Sequence, residues 1–301
     1  AGAATRCSAV PIEPLPAALV RDVVAAALSE DRAADDVTTE ALGARDVPAS
    51  ARIVARQPGV LAGMALAEET FRQLNPETRV HPLRQDGDRL HTGDVVAIVE
   101  GSADSILRGE RTALNFLQRL SGIATLTSRF VAEVAGTGCA ILDTRKTTPG
   151  LRDLEKYAVR CGGGRNHRRD LAAMAMVKDN HRALAARLGI SLAELVRRIR
   201  ARHPGIPVEI EVDDLSELTE ALAAEPEWIL LDNMTPDELR QAVAVVSGRA
   251  RLEASGGVSL ASVRAIAETG VDAVSVGALT HSATALDLSL EIELGGKPGA
   301  S

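Results

Sequence analysis

With 301 residues, 46% of them hydrophobic, and a net charge of −7, the chain can form one large α/β domain or a medium and a small one around a sizeable core. One Trp, one Tyr and three Phe are too few for the stacking platforms that bind single-stranded nucleic acid. No apolar run approaches the roughly 18 residues of a membrane span.

The opening segment carries Pro11, Pro14 and Pro16 and no hydrophobic run of the kind that heads a secretory signal, so residues 1–16 are expected to form a tail. Residues 17–120 read as a small α/β sandwich domain. "PAALVRDVVAAALSED" has helical periodicity, while "ARIVARQPGVLAG" and "GDVVAIVEGSA" read as strands around turns. "DSILRGERTALNFLQRLSGIATLTSRFVAEVAG" then gives long helical patterns leading into the next domain.

From Cys139 the pattern changes. Short apolar runs recur at 139–144, 174–180, 208–214, 228–234, 251–257 and 273–279, separated by amphipathic segments with helix punctuation. Ser191 with Glu194 makes a capping box, Thr235-Pro236 reads as N-cap and first helical residue, and Ser259 opens a helix that Gly270 closes. Strands alternating with helices imply a parallel sheet. Units returning every 20 to 35 residues or so fit a closed or nearly closed α/β barrel over residues 121–290. The span is short of the roughly 250 residues of eight full units, so the barrel is expected to be incomplete. Residues 291–301, ending "GGKPGAS", are expected to be a disordered tail.

Cys7, Cys139 and Cys161 form no CxxC pair and leave one thiol over, which suits reduced cysteines in a cytoplasmic protein. The charge is unevenly spread. Between Thr144 and Arg182 ten Lys or Arg stand against four Asp or Glu, about +6, leaving −13 for the rest of the chain. A basic island in an acidic chain suggests a local anionic ligand, not a general polyanion.

In barrels the working residues cluster at the C-terminal strand ends. Each apolar run here ends there in polar groups: Thr144, Arg145 and Lys146; Lys178, Asp179 and Asn180; Glu211 and Asp213; Asp232 and Asn233; then Ser255-Gly256-Gly257 and Gly277-Ala278. Helix caps use the same residue types, but six endings in register exceed what capping alone requires. In "VEIEV" alternation puts Glu209, Glu211 and Asp213 on one face, the pattern of a half-exposed antiparallel strand. Inside a parallel barrel those carboxylates would need a cation or ligand hydroxyls, and with Asp232 they suggest Mg²⁺ or a sugar. The glycine endings suit a phosphate site on the last two strands.

Gly162-Gly163-Gly164 lacks a Walker lysine and does not open a helix after a strand, so it matches neither nucleotide-binding glycine motif. It more simply turns the chain and projects Asn166, His167 and Arg168 toward the cluster. Two guanidinium forks, two ammonium groups and a histidine suit a planar dicarboxylate. The residues alone give a dicarboxylate and a phosphosugar, with the reaction left open.

At these residues the chain resembles the quinolinate phosphoribosyltransferases, also called nicotinate-nucleotide pyrophosphorylases (carboxylating). The motifs are "DTRKTTPGLRDLEKYAVRCGGGRNHR", "GVLAGMALAEETF", "GERTALNFLQRLSGIAT", "VKDNH", "VEIEVDDL", "ILLDNM", "EASGGV" and "VSVGALTHS", in order from Gly59 to Ser282. Ala33 and Asp35, where relatives usually carry glycines, and the unusual approach "LAAMAMVKDNH" depart from the pattern. The resemblance implies transfer of phosphoribose from phosphoribosyl pyrophosphate to quinolinate with loss of CO₂, in an α/β fold with an incomplete seven-stranded barrel beside the N-terminal sandwich. It implies quinolinate held by Arg145, His167, Arg168 and Lys178, and by Arg111 donated across the interface of a homodimer. It further implies catalytic roles for Lys146, Lys178, Glu211 and Asp232, with Thr144 also at the substrate. Mg²⁺ would sit at Glu211 and Asp232, and the phosphates at Ser255, Gly256 and Gly257 and at Val276, Gly277 and Ala278. Rival readings are a paralogous phosphoribosyltransferase with another acceptor, a Schiff-base aldolase using Lys178, and a non-catalytic phosphosugar binder.

Overall fold

The computed structural model describes residues 11–294, so Cys7 and the segment 295–301 lie outside the described residues. Among the described residues there are twelve strands: β1 Pro48–Ala55, β2 Gly59–Val60, β3 Arg79–Pro82, β4 Arg89–Leu90, β5 Val95–Ser102, β6 Ala140–Leu142, β7 Ala175–Val177, β8 Val208–Val212, β9 Trp228–Asp232, β10 Arg251–Ser255, β11 Ala273–Ser275 and β12 Leu288–Leu294. They belong to two compact units. Among the described residues, one takes 11–128, 149–163 and 282–294, and the other 129–148 and 164–281.

In the first unit β12, β1, β5 and β3 form an antiparallel sheet in that order, with β2 and β4 as a separate pair. The expected division at 290/291 falls inside β12. Its alternation, "LSLEIEL", turns Leu288, Leu290 and Ile292 toward the core and pairs the whole strand with β1. Residues 291–294 are therefore sheet and not tail. Phe71, Ile53, Ile106 and Leu117 are fully buried in the same core. The division expected at 120/121 also meets continuous structure, because Ala103–Glu133 is a single helix of 31 residues. Gly122 within it is dictated by packing: a Cβ there would stand 2.2 Å from the carbonyl oxygen of Thr284.

Asp86 ties this unit together. Its carboxylate accepts from the N–H groups of Gly63 (3.0 Å) and Met64 (3.1 Å) at the start of the helix Met64–Leu74, and from the hydroxyl of buried Tyr157 (2.6 Å). Asp86→Ala should destabilise the protein by about 2–4 kcal/mol, the sum of a lost cap and an unpaired buried hydroxyl. Asp86→Asn, which keeps an acceptor, should cost less. Thermal unfolding of both variants checks this, and equal midpoints for the two would contradict it.

The second unit is built on a parallel sheet of β6, β11, β10, β9, β8 and β7 in that order. These are the six apolar runs read from the sequence. β6 and β7 are its edges. Beside β6, the N–H of Arg165 donates to Ile141 (2.8 Å) and the N–H of Asp143 donates to Arg165 (3.2 Å), a single parallel bridge and not a seventh strand. Thr235 caps the helix Pro236–Val246 with Glu238, and Ser191 caps Leu192–Arg202. The helix expected from Ser259 is shorter, Val263–Ala267.

Candidate active site

The C-terminal ends of the parallel strands surround a cavity of about 420 Å³ lined by Thr144, Arg145, Lys146, His167, Arg168, Lys178, Glu211, Asp232 and Ser255. Alternation along each strand explains the set. Glu211, Asp232 and Ser255 are the inward positions nearest the ends of β8, β9 and β10, Lys178 follows β7 directly, and Thr144 comes after Asp143 at the end of β6.

The basic side is ready for an anion. Arg145 Nε is buried and has no hydrogen-bond partner among the described residues. Arg168 lies close enough that burial and the like charge of Arg145 both lower its pKa. Its guanidinium donates to the carbonyl of Met174 (3.1 Å), which fixes it beside β7. Opposite, Lys178 Nζ is paired with the Glu211 carboxylate.

Backbone geometry supports the phosphate reading. Gly256 has φ +98°, and a Cβ on it would lie 2.1 Å from Asn233 Oδ1. Gly257 follows at φ +56°, so both positions exclude an ordinary side chain without strain. The exposed amide face of such a loop suits an anion. A Cβ on Gly277 would stand 3.0 Å from Lys146 Cδ, so the lysine stem crosses over this glycine. Thr280 Oγ1 donates to the Lys146 carbonyl (2.7 Å), and the Lys146 N–H donates to Thr144 Oγ1 (3.0 Å).

Two carboxylates at strand ends are oxygen donors of the kind Mg²⁺ takes when it completes its shell with substrate phosphates and water, so Glu211 and Asp232 fit that ion. Among the described residues the only cluster of three metal-ligating side chains lies elsewhere, at His167, Glu209 and Glu253.

That cluster was legible only in part. Glu209, on the inward face of "VEIEV", is fully buried, and sequence reasoning passes over Glu253 and Asp143. Alternation applied to "RLEASGG" would have put Glu253 on the same face as Ser255. His167 Nε2 lies 3.1 Å from Glu209 Oε2 and 3.1 Å from Glu253 Oε2, and Nδ1 accepts from the Arg168 N–H (2.7 Å). Asp143, itself buried, takes the His167 N–H (2.9 Å) and the Asn166 amide (2.6 Å), which fixes the segment after the glycines. Burial alone would lower the His167 pKa, but hydrogen bonds and charge from Glu209 and Glu253 raise it to about 10. Burial likewise raises Glu209. Acceptance at Nδ1 places the ring proton on Nε2, between the two carboxylates.

Arg111 is exposed on the helix Ala103–Glu133, in the first compact unit, and does not line this cavity. Gly256, Gly257, Val276 and Gly277 belong to the adjoining loops, and Ala278 opens the short helix Ala278–His281. Burial pushes the Cys139 thiol up to about 12 and Cys161 upward too, so neither is poised as a nucleophile.

Comparison with known proteins agrees with these features. The profile of the quinolinate phosphoribosyl transferase C-terminal domain matches residues 123–291, and that of the N-terminal domain matches residues 36–121. A nicotinate-nucleotide pyrophosphorylase [carboxylating] of Mycobacterium leprae is 44% identical over 280 residues, 90% of this chain and 96% of its own length. A probable enzyme of the same name from Bacillus subtilis is 41% identical over 266 residues, 88% of this chain and 90% of its own. Among solved structures, NadC from Streptococcus pyogenes superposes with a TM-score of 0.89 at 39% identity, covering 94% of this chain and all of that one. The nicotinate-nucleotide pyrophosphorylase of Francisella tularensis gives 0.88 at 37%, covering 94% of this chain and 99% of that one. By sequence over nearly its whole length and by fold, this chain belongs to the quinolinate phosphoribosyltransferase family.

Proposed function

We propose that the protein transfers phosphoribose from phosphoribosyl pyrophosphate to the ring nitrogen of quinolinate and releases CO₂, giving nicotinate mononucleotide and pyrophosphate for NAD synthesis. The observation that carries this reading is the basic wall around the buried, unpartnered Nε of Arg145, facing carboxylates across one cavity. Arg145, Arg168, Lys178 and Lys146 meet the acceptor's two carboxylates, with His167 at their base. The glycine loops and Lys146 meet the phosphates.

As the C1–O bond to pyrophosphate breaks, positive charge develops on the ribose, and Glu211 and Asp232 stand where carboxylates can stabilise it. Mg²⁺, held by the same pair together with the substrate, would neutralise charge on the leaving group. The ring nitrogen then bonds to C1. The resulting pyridinium accepts the electron pair left as the C2–carboxylate bond breaks, and a proton replaces the lost CO₂. A paralogous enzyme with another acceptor is disfavoured because an acceptor with one carboxylate would leave cations of this wall unpaired. In the same reading, the chain passing Arg165 occupies the seventh position of an incomplete barrel, and the protein works as a homodimer.

Acceptor choice tests the reading. Quinolinate should exceed nicotinate by about 10³-fold or more in kcat/KM, since buried cations left unpaired penalise the monocarboxylate. Comparable efficiencies for the two acceptors would sink it.

A further inference from the structure

His167 and Arg168 are adjacent in sequence, yet what aims them comes from two other strands. The inward positions of the parallel sheet form layers. Asp232 and Ser255 form the upper one; below it stand Glu209 on β8, level with Trp228, and Glu253 on β10, level with Leu230 and Glu211. A hydrophobic layer would be usual there. Instead both carboxylates are essentially inaccessible, at 0% and 1% exposure, and each places an oxygen 3.1 Å from His167 Nε2. His167, Arg168 and Glu253 line both the upper cavity and a second one, of about 490 Å³, that reaches Trp228 and Arg251 at the opposite strand ends. The trio is thus a polar floor between two cavities.

Both ring nitrogens of His167 are engaged with protein: Nε2 with the two carboxylates, Nδ1 with the backbone N–H of Arg168. Held from both sides, the ring cannot rotate without breaking three contacts, and the direction of the Arg168 backbone is fixed with it. Burying two carboxylates is costly unless they hold something in place. We propose that Glu209 and Glu253 are positioning residues for the acceptor: they clamp His167 from β8 and β10 and thereby set the His167–Arg168 floor against which the dicarboxylate binds. The inference rests on quinolinate being the acceptor.

Calorimetry and steady-state kinetics on Glu253 variants of the full chain decide the matter. Glu253→Ala should weaken quinolinate binding about tenfold, the scale of one lost charged hydrogen bond, and leave the KM for phosphoribosyl pyrophosphate within about twofold. Glu253→Gln, whose amide oxygen can still accept from Nε2, should bind quinolinate within about threefold of wild type. Glu253→Asp keeps the charge but withdraws it by one methylene, and should lie between the two, which serves if the alanine variant does not fold. Unchanged quinolinate affinity in both Glu253→Ala and Glu253→Asp would overturn the proposal, as would equal losses for both substrates. Wild-type protein that binds no quinolinate would overturn it together with the reading beneath it, a failure visible before any variant is made.

Discussion

Replacing Arg145 by alanine should lower kcat/KM for quinolinate by two to three orders of magnitude, with little change in the KM for phosphoribosyl pyrophosphate. The guanidinium lies in the loop just past β6, its Nε is buried, and nothing among the described residues satisfies that donor. A group held out of water without a partner is stabilised only when a ligand supplies one. The natural supplier is a carboxylate meeting the planar fork through two parallel hydrogen bonds. Truncating one side of such a desolvated pair costs about 3–4 kcal/mol, because the partner charge is left buried and unpaired, and each 1.4 kcal/mol is about tenfold. Arg145→Lys should recover only a small part, since an ammonium cannot reproduce the fork. The Arg168 guanidinium nearby makes the contrast sharper: with Arg145 gone its like-charge neighbour disappears, but so does half of the wall that pairs the acceptor. Quinolinate affinity within about threefold of wild type for Arg145→Ala would rule out this assignment.

The second large effect concerns Arg111. It is exposed on the helix Ala103–Glu133 and absent from the lining of the strand-end cavity. In the proposed homodimer it completes the neighbour's site, beside that subunit's Lys178. Arg111→Ala and Lys178→Ala should then each be nearly inactive when pure: the first removes a donor to the acceptor, and the second leaves Glu211 without the ammonium that now pairs it. Unfolding the two together and refolding gives mixed dimers in which one site carries both defects and the other carries none. With random pairing about half the dimers are mixed, so roughly a quarter of wild-type activity should return. Were Arg111 to act within its own chain, every site would keep one defect and mixing would restore nothing. Mixed dimers confirmed by native mass spectrometry but inactive would exclude the shared site.

The parallel sheet was legible in the sequence because each of its strands is a short apolar run ending in polar residues, and these endings are where the cavity lies. Both Thr235-Pro236 and Ser191 announce their helices because capping is local chemistry. Domain limits were less legible, for a physical reason. The helix Ala103–Glu133 runs through the expected division without a break, and β12 returns to the first unit's sheet by a pairing 239 residues distant in sequence, of the sort that brings Arg52 to Glu291. Residues 149–163 likewise belong with the first unit although they sit between two stretches of the second, and no local signal marks such excursions. In the site, Arg145, Lys178, Glu211 and Asp232 could be read from their positions at or just past the C-terminal ends of strands. Glu253 could not be read as easily. It sits in mid-strand, where a carboxylate looks like half of an exposed alternation until His167 and Glu209 are brought against it from elsewhere in the fold.

The central claim is that one cavity couples ribosyl transfer to decarboxylation, and labelled product stoichiometry tests it most directly. The purified protein is incubated with phosphoribosyl pyrophosphate, Mg²⁺ and quinolinate carrying an isotopic label in the carboxylate next to the ring nitrogen. Nicotinate mononucleotide, pyrophosphate and labelled CO₂ should appear together in equal amounts, and omission of phosphoribosyl pyrophosphate should abolish CO₂ release, since the ring must become a pyridinium before it can accept the electron pair. Label retained in the nucleotide, or CO₂ released without phosphoribosyl pyrophosphate, would contradict the account.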